Sequence, residues 1–167
     1  MTPLTVARIL FAVWMVNEAF VVIRSTPEER ALITLPRFGP LAILVLFIPL
    51  FFAIDYQLWV GWGLVILQAL GLTLELAGEV QLTQAKSFSI AADTPEQFQT
   101  RGLYRFLENP IYVGLLIQLL AWSVWLPLVF IGLLLNYEHL RRMVAGERAH
   151  LATNNFVHRG IDSILWN

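Results

Sequence analysis

The stretch PIYVGLLIQLLAWSVWLPLVFIGLLLNYEHL, residues 110–140, decides the fold. A helical membrane crossing takes about 20 apolar residues, so this block is too long for one span and short for two. It is interrupted at Trp125-Leu126-Pro127, where a proline removes a backbone donor and disfavours helix continuation. The preferred reading is a tight helical hairpin; one long tilted span is the alternative.

Working outward, three more apolar blocks precede it. Leu4–Ile23 lacks a basic leader region and a small-residue cleavage site, so it reads as an uncleaved first span. Arg24–Pro40, with three arginines, two glutamates and three prolines, reads as an interfacial loop. Leu41–Ile54 is short for a crossing unless Phe38–Tyr56 are counted together, with Pro49 as a tolerated kink. Leu58–Ala77 is a third span of good length, and a polar stretch from Gly78 to Asn109 follows it. The expected architecture is all-α: a polytopic membrane helix bundle of about five transmembrane helices with a C-terminal cytoplasmic helix. It is expected as one domain over residues 1–167, whose cytoplasmic face is built from the loop 79–109 and the tail 137–167.

Composition and charge agree with that class. The 167 residues are 57% hydrophobic and only 14% charged, against about 25% charged in soluble domains. Eleven basic and twelve acidic residues give a net charge of −1, which excludes the basic excess of a nucleic-acid binder. The absence of cysteine excludes disulfide scaffolds, thiolate metal sites and cysteine nucleophiles. With five crossings, every basic residue except Arg8 falls on one side, which the positive-inside rule makes cytoplasmic; four crossings would split the loop from the tail. Trp59, Trp62, Trp122 and Trp125 then fall near the opposite ends of their spans, as an aromatic belt would.

Chemistry is concentrated at the start of the hairpin. Gly102 permits a tight turn, Asn109 suits an N-cap and Pro110 the first helical position, so a helix N-terminus with free N–H groups faces the loop. Such a terminus attracts carboxylates or phosphates. Tyr104 and Tyr112 offer rings for stacking and hydroxyls for hydrogen bonding. A polar helix then runs from Asn136 to His150, where Glu138 and Arg142 share a face, as do Glu147 and Leu151. Arg142 and Glu147 are expected to face Tyr104 and Asn109 across a pocket, although a solvated, salt-bridged helix end accounts for the same residues. Glu18 and Glu75, inside apolar spans, are expected to snorkel toward the cytoplasmic ends. His139, His150 and His158 lack a ligand spacing, so no metal is expected. Gly61-Trp62-Gly63, a lone G-x-G inside a span, is no dinucleotide fingerprint, and the serines lack a nucleophile elbow.

Gly102-Leu-Tyr104-Arg-Phe-Leu-Glu-Asn109-Pro110-Ile-Tyr112-Val-Gly114 resembles, in spacing, the G-x-Y-x-x-x-R-H-P-x-Y-x-G signature of the isoprenylcysteine carboxyl methyltransferase and phospholipid methyltransferase family of integral membrane enzymes. The hydrophobic hairpin and the Arg142–Leu151 helix, similar to that family's R-x-x-x-E-E-x-x-L segment, extend the likeness over roughly the last 70 residues. The resemblance implies S-adenosylmethionine-dependent methyl transfer to a lipophilic small molecule or lipid, with no nucleic acid and no metal as partner. It places cofactor contacts on Gln97, Phe98, Gln99, Tyr104, Asn109, Pro110, Ile111, Tyr112 and Glu147, and Arg142 beside the substrate, so that Arg142 and Glu147 are the candidate catalytic pair. It also implies a cytoplasmic-facing site in a bacterial inner membrane or an endoplasmic-reticulum-type membrane. Here Glu108-Asn109 stand where the family carries Arg-His, and one of its paired glutamates is missing. Arg105 would restore the lost charge if the helix extended backward through it. An NADPH-dependent sterol-type reductase and a non-catalytic homologue remain the alternatives.

Overall fold

The computed structural model describes residues 1–24, 58–84, 101–153 and 160–166. Among these every regular element is helical: α1 (Pro3–Arg24), α2 (Leu58–Gln84), a 3₁₀ turn (Gly102–Arg105), α3 (Pro110–Trp125), α4 (Val129–Thr153) and a C-terminal 3₁₀ helix (Ile161–Trp166). The expected second span and Gln97–Gln99 lie outside the described residues.

Residues 110–140 form the hairpin and not one tilted helix. α3 ends at Trp125, Leu126 adopts an extended conformation while its N–H still bonds Trp122 O at 2.8 Å, and α4 begins at Val129. Pro127 cannot donate the ladder bond that would continue α3, so the chain reverses there. Two boundaries differ from expectation. The loop expected to begin at residue 79 starts later, because α2 runs on to Gln84; Glu79, Gln81 and Gln84 are good helix formers, and polarity alone does not end a helix. The tail expected from residue 137 is helical to Thr153 without a break from the apolar part of α4.

Each helix buries one stripe. In α1 it is Leu4, Ala7, Phe11 and Trp14, and in α2 Leu64, Val65, Gln68, Leu72 and Glu75, both at helical spacing. The opposite faces are also apolar: Ile9, Val13, Ile66, Leu70, Leu120 and Ile131 are all exposed. A helix that is apolar all round belongs in a protein core or in lipid. The windows Pro3–Phe20 and Leu58–Thr83 are long and apolar enough to cross a membrane, and α3 is a shorter apolar helix.

α1 and α2 run in the same direction, since Ala7 O accepts from Gln68 Nε2 at 3.1 Å and, further along both helices, Trp14 Nε1 donates to Glu75 at 3.0 Å. α2 and α3 are antiparallel and touch backbone to backbone. A Cβ on Gly71 would strike Gly114 O, and one on Gly114 would strike Gly71 O, so only glycine allows this approach. The bundle therefore has two unlike ends. Trp59, Trp62, Trp122 and Trp125 gather at the first; the 3₁₀ turn, the start of α3, Arg141, Arg142, Arg148 and the C-terminal 3₁₀ helix gather at the other, called here the arginine end. The belt expectation needs correction. Trp59 is 86% exposed, but Trp122 and Trp125 are buried and pack inside the bundle, Trp122 edge-on to Phe11 with ring centres 5.0 Å apart.

Candidate functional site

Two polar clusters interrupt the apolar packing. The first lies between α1, α2 and α3, toward the arginine end. Glu75, 1% exposed, accepts from Trp14 Nε1 and forms a short hydrogen bond with the Gln118 side-chain amide. Asn17 Nδ2 donates to both oxygens of Glu79 at 3.0 Å. Glu18 joins them, and carboxylate oxygens of Glu18, Glu75 and Glu79 lie within 4.8 Å of one another. Snorkelling is thus wrong for Glu75. Its position on the buried stripe aims it across the bundle at partners on α1 and α3, not along α2 toward water.

The second cluster, at the arginine end, holds the residues expected to bind a cofactor. Gly102, with φ +64°, turns the chain, and the Leu103 N–H donates to Gln81 Oε1 of α2 at 2.9 Å. That anchor tucks Tyr104 inside, 7% exposed. Burial, then Glu147 and Glu79, push its phenol well above the ordinary range, so it stays neutral and can donate. On α4 the buried positions Leu140 and Val144 continue along the same stripe to Glu147, which is why that carboxylate turns inward. Tyr112 OH donates to Glu147 Oε1 across the hairpin at 3.3 Å. Burial foremost, with the Glu108 charge adding to it, raises the Glu147 carboxyl to about 7 even though the Tyr112 hydrogen bond pulls it down.

Three expected site residues, Tyr104, Tyr112 and Glu147, are therefore neighbours. Pro110 is buried and Ile111 packs toward Gly78 of α2, so both shape the start of α3. Arg142 is not brought in. Five helical residues from Glu147 means about 140° around the axis, and its side chain, 76% exposed, pairs with Glu138 at 2.9 Å. Asn109 is at the N-cap position but its side chain caps nothing. Arg105 does not extend α3 backward: it belongs to the separate 3₁₀ turn, with its guanidinium 5.7 Å from the centre of the Phe106 ring.

The charge at Glu108 has its own partner. Arg148 Nε and Nη2 donate to its two oxygens at 2.7 and 2.8 Å, a forked pair bridging the start of α3 and the end of α4. Two backbone N–H groups just before α3 are answered by Asp162, which sequence reasoning missed. Its carboxylate accepts from Glu108 N at 2.6 Å and Asn109 N at 3.1 Å, and from Trp166 Nε1 at 3.0 Å. The available signal was an Asp placed four residues before a Trp in a tail that had to fold back on something.

Beside this cluster, between α3 and α4, lies an open surface cavity of about 320 Å³ with an apolar lining that includes Leu116, Leu120, Leu133 and Leu134, with Tyr137 and Leu165 also on its wall. Compared with known proteins, the chain matches no family model, no curated sequence and no solved structure.

Proposed function

We propose that this protein is an integral membrane methyltransferase that binds S-adenosylmethionine at the arginine end of its bundle and methylates a lipophilic substrate. The observation that carries the reading is the meeting of Tyr104, Tyr112 and Glu147 beside an apolar cavity. The cofactor is a cation with an ammonium and a flat purine. An inward-turned, half-buried carboxylate that among the described residues accepts one long hydrogen bond, from a phenol, suits the ammonium or the ribose hydroxyls, and the tyrosines suit the purine. The cavity suits a hydrocarbon chain of the acceptor.

Held beside Tyr104, Tyr112 and Glu147, S-adenosylmethionine would supply an electrophilic methyl group to a lone pair of the acceptor. The chain's residues would hold the reactants in line and keep water out; among them Tyr104, neutral and buried, would offer a hydrogen-bond donor, while Glu147 would offset positive charge. Arg142, directed outward, has no part in the proposed mechanism.

The five-span topology is part of the proposal. Two adjacent spans running the same way require the chain between them to return across the bilayer, and we place that return on residues 38–56, with Pro49 as a tolerated kink. The arginines then mark the cytoplasmic side.

A second reading, the non-catalytic homologue, is favoured by Asp162, which fills the anion position at the start of α3. The test is thermal unfolding of the purified full chain with S-adenosylhomocysteine or with NADPH, since a ligand binding only the folded form raises Tm. The methyltransferase reading expects a rise with the former alone and methyl incorporation into lipid-extractable product. NADPH stabilisation alone supports the reductase, and a response to neither supports the non-catalytic homologue.

A further inference from the structure

The C-terminal 3₁₀ helix does more than fill space. Asp162, 5% exposed, presents a carboxylate to two backbone N–H groups at the start of α3. Four residues on, Trp166, 3% exposed, sets a flat aromatic ring edge-on to Tyr112, 6.3 Å between centres, and stacked on Tyr137 at 6.5 Å. A carboxylate joined to a planar ring is the recognition chemistry of an amino-acid nucleoside. The segment carries both features and seats them against the residues that flank Glu147.

Trp166 packs with Leu140 and Val144 in a buried apolar cluster; among the described residues the segment's other attachments are mainly polar. Ile161 N donates to Phe106 O at 2.8 Å, Arg148 Nη2 to Ser163 O at 3.4 Å and Tyr137 OH to Leu165 O at 2.6 Å. Ile161 and Ile164 are 77% and 81% exposed, so the apolar residues of the segment other than Trp166 contribute little burial against the bundle. A short segment held this way opens at a lower free energy than the helices beneath it. Resting on the cofactor reading above, we propose that residues 160–166 are an internal plug: Asp162 and Trp166 occupy the carboxylate and ring positions of the amino-acid nucleoside, which must displace them to bind. The site would be held closed until ligand or a membrane event releases the tail, and apparent affinity would fall by the fraction of molecules that are closed.

The test uses the full chain in detergent with S-adenosylhomocysteine as probe, reading affinity by titration calorimetry and tail opening by amide hydrogen exchange. Asp162→Asn removes the charge on the N–H pair; Tyr137→Phe loosens the far end of the plug without touching it and serves if the first variant folds poorly. The plug predicts that saturating probe speeds exchange at the Ile161 and Ser163 amides about tenfold, and that Asp162→Asn tightens binding by about tenfold and Tyr137→Phe by less. Binding that leaves those amides protected, with neither variant tighter than wild type, overturns the plug and leaves the cofactor reading intact. Absence of binding by wild type and both variants overturns the cofactor reading, and the plug with it.

Discussion

The two polar clusters use carboxylates in opposite ways. Between the helices Glu75 and Glu79 are answered by neutral donors from other helices: an indole, a carboxamide on α3 and the Asn17 amide. At the arginine end Glu108 and Asp162 are answered by a guanidinium and by backbone N–H groups, and Glu147 has one long bond to a phenol among the described residues. In the first cluster the polar groups fix which faces of α1, α2 and α3 meet, because a buried donor left unpaired is costly. In the second, one carboxylate is held inward with a single long hydrogen bond among the described residues. That difference supports reading the first as architecture and the second as the proposed site.

The sharpest way to break the contrast is to remove a partner from each cluster. Arg148→Ala leaves the Glu108 carboxylate, whose side chain is 7% exposed, without its cation, and should cost about 3 kcal/mol of stability in thermal or denaturant unfolding. Glu75→Ala strands the Trp14 and Gln118 donors and should cost about 2 kcal/mol by the same measurement, with no separate effect on ligand affinity. Glu147→Gln should do the reverse, weakening S-adenosylhomocysteine binding about tenfold while the fold persists.

A pH series sharpens the assignment of Glu147. Its folded carboxyl titrates near 7 against an ordinary value of 4.5, so the folded chain holds this proton more tightly. The stabilisation is fully present below about 4.5, declines as pH rises and is gone above about 7. The Tm of wild type should therefore fall relative to Glu147→Gln between pH 5 and pH 8. Ligand affinity should move the other way and increase as the carboxylate ionises. The smallest effect is expected at Arg142→Ala, which breaks an exposed pair with Glu138 and should leave both the unfolding temperature and the affinity unchanged within error.

Much of this was readable before any coordinates. The hairpin is legible as a block too long for one crossing and broken at Pro127; Tyr104 and Tyr112 are singled out by residue type beside a helix start, and Glu147 by the resemblance to the methyltransferase family's C-terminal segment. What failed to show were contacts between distant parts of the chain. Nothing local to Glu75 announces Trp14 or Gln118, so its cost inside a span suggested a route to water in place of partners. Asp162 looked like a residue of an unremarkable tail, and its capping role exists only once the chain folds back onto Glu108. Two features were within reach of simple geometry. The helical angle between Arg142 and Glu147 already denies them a shared pocket, and Gly71 and Gly78, seven apart, mark one small-residue face of α2.

The most direct test is the unfolding temperature of full-length wild type and Glu147→Gln, each with and without saturating S-adenosylhomocysteine at pH 8. The account predicts a rise of a few degrees in wild type that shrinks or vanishes in the variant. An unchanged wild type, or an equal rise in both proteins, would contradict it.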